Sequence, residues 1–339
     1  MGDEYAVVIL NWNGADDTIE CLESLLVNDR TAVPIVVDNG SNDDSVIRIR
    51  KTLVDNYGEI LELSVAGQMP FVTGSKSPVL VSVGENLGYA KGCNLGLKIA
   101  HVSGYENVVF LNNDTVVEDG SLTRMSRRLT DDQDVDVVIP LLLIHGTEKI
   151  WNCGGRVSGF GFRRYYYFDK ALSEIYMPKE ISCTFITGCC FVVRTGRFLE
   201  RGGFTEKFFF GEEDFDFSIW MKDHEWKVIC MTDSVVHHKV GVSIDKGSNN
   251  KKAPKIFVHY LNRLINMKAR YGLFLWSFWL VIYTPYIVYV LLRYKIVGVE
   301  CMLNYVYALI RKAVLYDSVS RYDFERIMRI GERTCRCDA

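Results

Sequence analysis

The sequence predicts an α/β protein: a mixed, mostly parallel sheet flanked by helices, followed by a hydrophobic helical region. Three observations carry that prediction. Over the first 140 residues, short apolar runs alternate with amphipathic stretches of helical length. Each of the first four apolar runs ends in a cluster of Asn, Asp and Gly. Near the far end, Gly272 to Leu292, "GLFLWSFWLVIYTPYIVYVLL", is 21 residues without a charge.

The elements follow in order. "AVVILN" (6–11) reads as a buried strand, and 15–27 as an amphipathic helix. "AVPIVVD" (32–38) is the second strand, with a helix from about Ser41. The segment 56–77 holds four Gly or Pro residues and reads as a loop or β-excursion. "PVLVSVG" (78–84) is the third strand, 88–101 a helix, and Val108 to Leu111 the fourth strand. Strand–helix alternation of this kind argues for βαβ units. Residues 150–195 are rich in Gly and aromatics with short strand patterns, as expected of an antiparallel portion. A helix over 213–223, a strand over 226–231, a loop over 232–250 and a basic helix over 255–270 complete the series. The chain therefore divides into a domain over 1–254, with halves of about 1–115 and 116–254, and a helical region over 255–339.

At 339 residues there is room for one large domain and an appendage. Hydrophobic residues make up 48% and charged residues 24%, the balance of a packed core rather than of a disordered chain. A net charge of −3 with a pI near 6.1 provides no general attraction to nucleic acid, which is disfavoured as a partner, with only a local basic patch left open. The ten cysteines include no C-x-x-C; Cys189 and Cys190 are adjacent, and Cys335 and Cys337 sit at the tail. That spacing disfavours both a zinc site and a disulfide framework. The thiols read as core filler in a reducing cytosol, and the acidic opening Met1-Gly2-Asp3-Glu4 is not that of a secretory signal.

The uncharged stretch is long enough to cross roughly 30 Å of hydrocarbon as a helix. Lys268 and Arg270 flank it on one side, Arg293 and Lys295 on the other, and Trp276 and Trp279 are suited to the headgroup level. Tyr283, Thr284, Pro285, Tyr286 and Tyr289 fall inside it. A single span and a monotopic hairpin with "IVGVECMLNYVYALI" (296–310) explain these features equally well, and either implies membrane contact.

The polar clusters are "NWNG" (11–14), "DNGSNDDS" (38–45), "GENLGYAKGCNLG" (84–96) and "NND" (112–114). Parallel strands bring such carboxyl ends to one edge of the sheet, where open α/β folds bind ligands. Four in succession fit a nucleotide-sized ligand. No G-x-G-x-x-G opens the helix after strand one and no G-x-x-x-x-G-K-[ST] occurs, so phosphate cradles of those types are not expected.

"VVILNWNG", "IVVDNGSNDDS", "NLGYAKGCNLGL", "FLNNDTVV", "TGCCFVVRTGRFLERGGFTEKFFFGEEDFDFSIWMKD" and "VVHHKVGVS" follow one another over about residues 5–270. This ordered set resembles the family 2 glycosyltransferases of GT-A fold, a Rossmann-like architecture, and is most similar to their bacterial rhamnosyltransferase-like branch. The resemblance implies an enzyme that takes a sugar, L-rhamnose on the branch's pattern, from a dTDP- or UDP-linked donor. It implies a divalent metal, Mn²⁺ or Mg²⁺, and inversion at the anomeric carbon by single displacement. The acceptor would be a glycan or polyprenyl-linked glycan, at the cytoplasmic side of a bacterial inner membrane, in polysaccharide biosynthesis.

Carried over residue by residue, Asp38 matches the aspartate that contacts the base, and Asn11 lies on the nucleotide-facing strand end. Asn86, Gly88 and Asn94 match the pocket lining, with Asn113 beside them. Asp114 matches the metal-binding end of D-x-D, and His238 the late histidine that helps ligate the metal. Asp214 matches the catalytic base of the "ED" motif, with Glu213 the second candidate. Trp151, in "IWNCGGRVSG" (150–159), falls in the acceptor-facing part.

The residue types suit that chemistry on their own terms. A hard cation on carboxylate oxygen stabilises the charge growing on a leaving diphosphate, and such an ion uses only one or two protein carboxylates. An imidazole donor tilts the choice toward Mn²⁺. A carboxylate at the start of a helix, crowded by Glu212, Glu213 and Asp216, can have the raised pKa that suits a base for a sugar hydroxyl. Two departures stand out: Asn112 occupies the first D-x-D position, and "VHYLNRLINMKARYG" (258–272) blurs the family's helix pattern, so Tyr260 and Arg263 receive no role. A sugar nucleotidyltransferase is an alternative, disfavoured because no Gly-rich loop with Arg or Lys follows strand one. A non-catalytic nucleotide-sugar-binding membrane protein is the other.

Overall fold

The structure, a computed structural model, describes residues 4–65, 76–240 and 252–334. Four parallel strands form its first half: β1 (Tyr5–Asn11), β2 (Ala32–Asp38), β4 (Val79–Val83) and β5 (Asn107–Asn112). Helices α1 (Ala15–Asn28), α2 (Ser45–Tyr57) and α3 (Tyr89–Val102) connect them. β1 reads as an unbroken apolar run because both its faces are covered. Its alternate residues Ala6 and Val8 enter one core layer, and Tyr5, Val7 and Ile9 the other.

The segment read as a loop or β-excursion over 56–77 contains β3 (Leu61–Val65), which adds a parallel edge strand beside β4; residues 66–75 lie outside the described set. The helix expected from Ser41 begins at Ser45. Ser41 instead bonds back to Asp38, its N–H to Oδ2 at 3.0 Å and its hydroxyl to Oδ1 at 2.5 Å, so the chain turns before it coils.

The second half is mixed, as predicted. β7 (Val137–Ile144) and β12 (Cys190–Arg194) extend the sheet beyond β5, followed by β13 (Val228–His238) and β11 (Glu180–Cys183). The strand expected to stop at 231 continues to His238 across a bulge between Met231 and Val235. Its last residues pair with β6 (Thr115–Val117), so the predicted loop 232–250 begins only after the strand, and residues 241–251 lie outside the described set. β8 (Ile150–Asn152) pairs with β7, whereas β9 (Gly155–Val157) and β10 (Arg163–Tyr165) form a separate two-stranded ribbon. α4 (Ser121–Asp131), α5 (Thr195–Glu200) and α6 (Glu213–Asp223) cover this half.

α7 (Lys252–Arg293) is broken at Gly272 (φ 69°, ψ 162°). Beyond the break, Trp276, Trp279, Tyr283, Ile287 and Leu291 form a buried stripe, sharing one core cluster with Phe215 of α6 and Leu261 and Leu264 of α7. The indole N–H groups of Trp276 and Trp279 donate to the carbonyls of Leu264 (3.0 Å) and Phe160 (2.9 Å). α8 (Val299–Leu315) packs on α7, and α9 (Arg321–Thr334) follows. Phe274, Phe278, Val281 and Ile282 on the opposite face remain 56–74% exposed. Seven cysteines are buried free thiols, as expected of core filler; Cys301 departs from that expectation and is disulfide-bonded, and Cys335 and Cys337 lie outside the described residues.

Candidate functional site

Parallel pairing brings the ends of β1, β2, β4 and β5 to one edge, and a chain of hydrogen bonds runs along it. Asn113 Nδ2 donates to Thr18 Oγ1 (3.0 Å), and Thr18 donates to Asn11 Oδ1 (2.8 Å). Asn11 Nδ2 donates to Asp38 Oδ1 (2.7 Å), and the Ser41 hydroxyl closes the chain on the same carboxylate. Asn11, Asp38 and Asn113 are thus one network, with both Asn11 and Asp38 buried. Thr18 and Ser41 escaped sequence reading because nothing in their own segments distinguishes them from a helix residue and a turn residue.

Asn86 and Gly88 meet Asn39 on the neighbouring loop. Asn39 Nδ2 donates to Asn86 Oδ1 (3.1 Å) and to the Gly88 carbonyl (3.2 Å), and the Leu87 N–H donates to Asn39 Oδ1 (3.0 Å). Gly88 has φ 88°, and a Cβ there would lie 2.3 Å from the Phe209 carbonyl oxygen, so the backbone approach admits only glycine. Asn94 sits apart from this group. Its amide donates to the Phe204 carbonyl (2.9 Å) and Glu206 (3.0 Å), and its oxygen accepts the Phe204 N–H (2.8 Å), so it anchors the segment that leads into α6.

The antiparallel pairing of His238 with Thr115 sets His238 beside Asp114. His238 Nε2 lies 3.2 Å from Asp114 Oδ1, with the two side chains only 10% and 13% exposed. His238 Nδ1 is buried and has no hydrogen-bond partner. Trp151 packs edge-on against the His238 ring, with centroids 4.3 Å apart, and so borders this pair. Among the described residues no group of three or more His, Cys, Asp or Glu side chains converges. Two protein donors, one carboxylate and one imidazole, fit a cation that completes its shell with water and a ligand's phosphates. Asn112, the odd position, has its side-chain oxygen 3.1 Å from the Tyr89 hydroxyl, which also lies 2.8 Å from the Gly188 carbonyl.

The three carboxylates Glu212, Glu213 and Asp214 behave differently. Glu212 precedes α6 in a left-handed conformation (φ 72°), a strained backbone for a residue with a Cβ. Its buried carboxylate receives both Nε (2.5 Å) and Nη2 (2.8 Å) of Arg263, and His259 Nδ1 at 3.1 Å. Burial opposes its charge, but Arg263 and His259 prevail and hold it well below the ordinary carboxylate range. Burial lowers the pKa of His259 against the opposing charge of Glu212, and its Nε2 lies 3.4 Å from Arg163 Nη2. Asn262 donates to the carbonyls of Phe210 (2.9 Å) and Gly211 (3.3 Å), and Arg263 Nη1 to that of Gly161 (2.7 Å). The first half of α7 therefore clamps the loop that carries the acidic cluster. Arg263, left without a role in the sequence, is its main clamp.

Burial and the neighbouring Asp214 push the Glu213 carboxyl up to about 8. Asp214 is also raised, first by burial, but the positive charge of Arg163 works in the opposite direction. The two face different surroundings. Glu213 contributes, after burial and Cys93, to the raised pKa of Tyr89 on α3. Asp214 contributes to the raised pKa of Tyr165 on β10, where burial is the main cause. Asp214 Oδ1 also accepts the Phe215 N–H at 2.6 Å.

This architecture is that of the GT-A glycosyltransferases. It superposes on a mannosyltransferase, PcManGT from Pyrobaculum calidifontis in complex with GDP-Man and Mn²⁺, with TM-score 0.53 and 14% identity, over 98% of this chain and 85% of that one. GalNAc-T7 with UDP, GalNAc and Mn²⁺ gives TM-score 0.53 and 15% identity over 69% of this chain; the chain spans only 43% of that protein's length. No curated protein sequence matches the chain. Residues 3–255 match the model of the glycosyltransferase-like family 2, and the chain belongs to that family.

Proposed function

We propose that the protein is an inverting glycosyltransferase moving a sugar from a nucleoside-diphosphate donor to the hydroxyl of a glycan, with Asp214 as general base. The observation that carries the assignment is the different setting of two adjacent carboxylates. Glu213, pushed up to about 8, holds a proton at neutral pH, while Arg163 favours the ionised form of Asp214. A base must be ionised to take a proton, and Arg163 works toward that state at Asp214 against the burial that raises its pKa. Family membership and the GT-A fold support sugar transfer as the reaction, while fold alone would leave the chemistry open. No observation favours the nucleotidyltransferase or the non-catalytic reading.

Asp38, held by Asn11 and Ser41, would bind the base of a dTDP- or UDP-linked sugar, and the Asn86–Gly88 turn would line its pocket. Asn94 would act by positioning the loop rather than by contact with the donor. Asp114 and His238 would hold Mn²⁺ or Mg²⁺, which stabilises negative charge on the departing diphosphate. The Mn²⁺ reported with GalNAc-T7 and PcManGT agrees with this pair. L-rhamnose remains the donor sugar proposed from the branch resemblance, and Trp151, beside His238, a sugar-stacking candidate.

Asp114→Ala is expected to remove metal-dependent donor binding. At a donor concentration of 100 times Kd, wild type gains about 2.7 kcal/mol of stability. A screen of nucleoside-diphosphate sugars with Mn²⁺ by thermal shift should show that gain, and the variant should behave in Mn²⁺ as wild type does in EDTA. Equal donor stabilisation of variant and wild type would overturn the metal assignment.

The apolar helices would seat the protein on a membrane surface. Because one stripe of the 272–292 segment is buried in the protein core, the other face alone is free, which favours a monotopic seat over a span. Phe274, Phe278 and Ile282 recur every four residues on that free face. Replacing all three with Ser should reduce vesicle binding by about tenfold or more per residue, since each buried apolar side chain contributes about 1.5–3 kcal/mol. Co-sedimentation of the triple variant at wild-type levels would rule the seat out. Truncation before this segment is a poor test, because it would strip Trp276 and Tyr283 from the core.

A further inference from the structure

The β9–β10 ribbon carries an arrangement that the proposed donor and base chemistry leaves unused. Its register places Arg156 directly opposite Arg164. Opposed residues of an antiparallel pair project from one face with Cβ atoms about 4.5–5.5 Å apart, and like charges so placed are destabilising. Among the described residues no carboxylate pairs with either arginine; Arg156 is aligned by the Tyr166 hydroxyl, 2.8 Å from its Nε. Both are solvent-exposed and line an open surface pocket of about 680 Å³, together with exposed Lys170. The one acidic residue on that wall, Glu180, is taken from the side by Arg128 of α4, at 2.7 and 3.3 Å. Three cations thus face one cavity with no free anion between them.

The position of the ribbon says what the charge is for. Arg163, next to Arg164 but on the opposite face, reaches His259 beside the acidic loop. Tyr165, on the same face as Arg163, lies within the electrostatic reach of Asp214. At the other end, the loop of the ribbon rests on the apolar part of α7: Trp279 bonds the Phe160 carbonyl, and Phe162 packs on Tyr283 and Tyr286 at 5.3 and 5.2 Å. Arg164 is four residues from Phe160, at most about 13 Å of chain. The ribbon therefore joins the acidic loop to the apolar part of α7, and Arg156 and Arg164 project from its other face, a few residues from both.

We propose that Arg156, Arg164 and Lys170 bind a phosphate or diphosphate group carried by the acceptor. Paired guanidinium forks suit that geometry, and a doubly charged phosphate offsets the repulsion the ribbon holds. The inference rests on the transferase reading above and adds the class of acceptor. The same chemistry is presented by a prenyl-diphosphate-linked glycan and by a water-soluble glycan phosphate.

The test uses the full chain in EDTA, where a metal-dependent donor site is silent, with farnesyl diphosphate, inorganic pyrophosphate and farnesol as probes. Wild type should bind farnesyl diphosphate, and the R156Q/R164Q double variant should lose about 10- to 100-fold per arginine. Removal of like charges should leave the Tm of the free double variant at or above wild type, and K170Q alone should also weaken binding. Asp114→Ala should bind as wild type does. Farnesyl diphosphate bound far more tightly than pyrophosphate identifies a lipid-linked source; equal binding identifies a soluble one. Undiminished binding by R156Q/R164Q, loss of binding in Asp114→Ala, farnesol bound as well as its diphosphate, or a carboxylated oligosaccharide preferred over both would overturn the site. Donor stabilisation in Mn²⁺ is read on the same proteins. Its absence with every donor, while probe binding through the arginines persists, would sink the transferase reading and leave the phosphate site standing.

Discussion

An Asp214→Asn variant should transfer sugar about 10²- to 10⁴-fold more slowly than wild type while keeping metal-dependent donor stabilisation. The amide fills the same space and still accepts the Phe215 N–H, but it takes no proton from the acceptor hydroxyl. Glu213→Gln should be much milder, because glutamine resembles the protonated carboxyl that a group pushed up to about 8 carries at neutral pH. The two carboxyls titrate as a unit, so the acidic limb of the rate profile belongs to the pair. Single-turnover assays across pH check this: an active Asp214→Asn enzyme with an inactive Glu213→Gln would reverse the roles. The same group ties stability to pH. A carboxyl raised from 4.5 to about 8 holds its proton more tightly in the folded state. Its contribution is full below about 4.5 and declines as pH climbs toward 8.

Arg263→Ala should destabilise the fold by about 3–5 kcal/mol, the usual effect of stripping a buried charge of its partner. Glu212 would then keep a charge in the core with only His259 beside it, and its left-handed backbone would lose its clamp. Glu212 is depressed in the folded state, so its contribution runs opposite to that of Glu213. It is present above 4.5, the ordinary glutamate value, and lost as pH falls below it. Urea unfolding of Arg263→Ala and of Arg263→Met/Glu212→Met separates the unpaired charge from lost packing, since the double variant should recover much of the difference. Variants within about 1 kcal/mol of wild type would show that the pair is dispensable.

Much of the first half was legible in the sequence for a local reason. β2 occupies Ala32–Asp38 as read, and β1, β4, β5, α1 and α3 fall within a residue or two of their expected bounds. Buried parallel strands are continuous apolar runs, and their helices show a period near four. The readings left open or cut short share a different cause. β3 is a short edge strand with mixed exposure, so its pattern is weak. The extension of β13 to His238 depends on a bulge and on pairing with β6, more than a hundred residues earlier. No local signal predicts such a partner.

The site divides in the same way. The sequence by itself determined the strand-end polar clusters, the acidic cluster before α6 and the uncharged segment. Each follows from side-chain chemistry and spacing within one short stretch. Tertiary structure alone decided which of those residues meet. It put His238 beside Asp114 through a cross-strand register, bonded Asn94 to the segment at Phe204, and gave Glu213 and Asp214 different neighbours. It also made Arg263 the clamp on Glu212, and it buried one face of the apolar segment while freeing the other. Charge and burial act through space, and the distances that set them close only when segments far apart in the chain pack together.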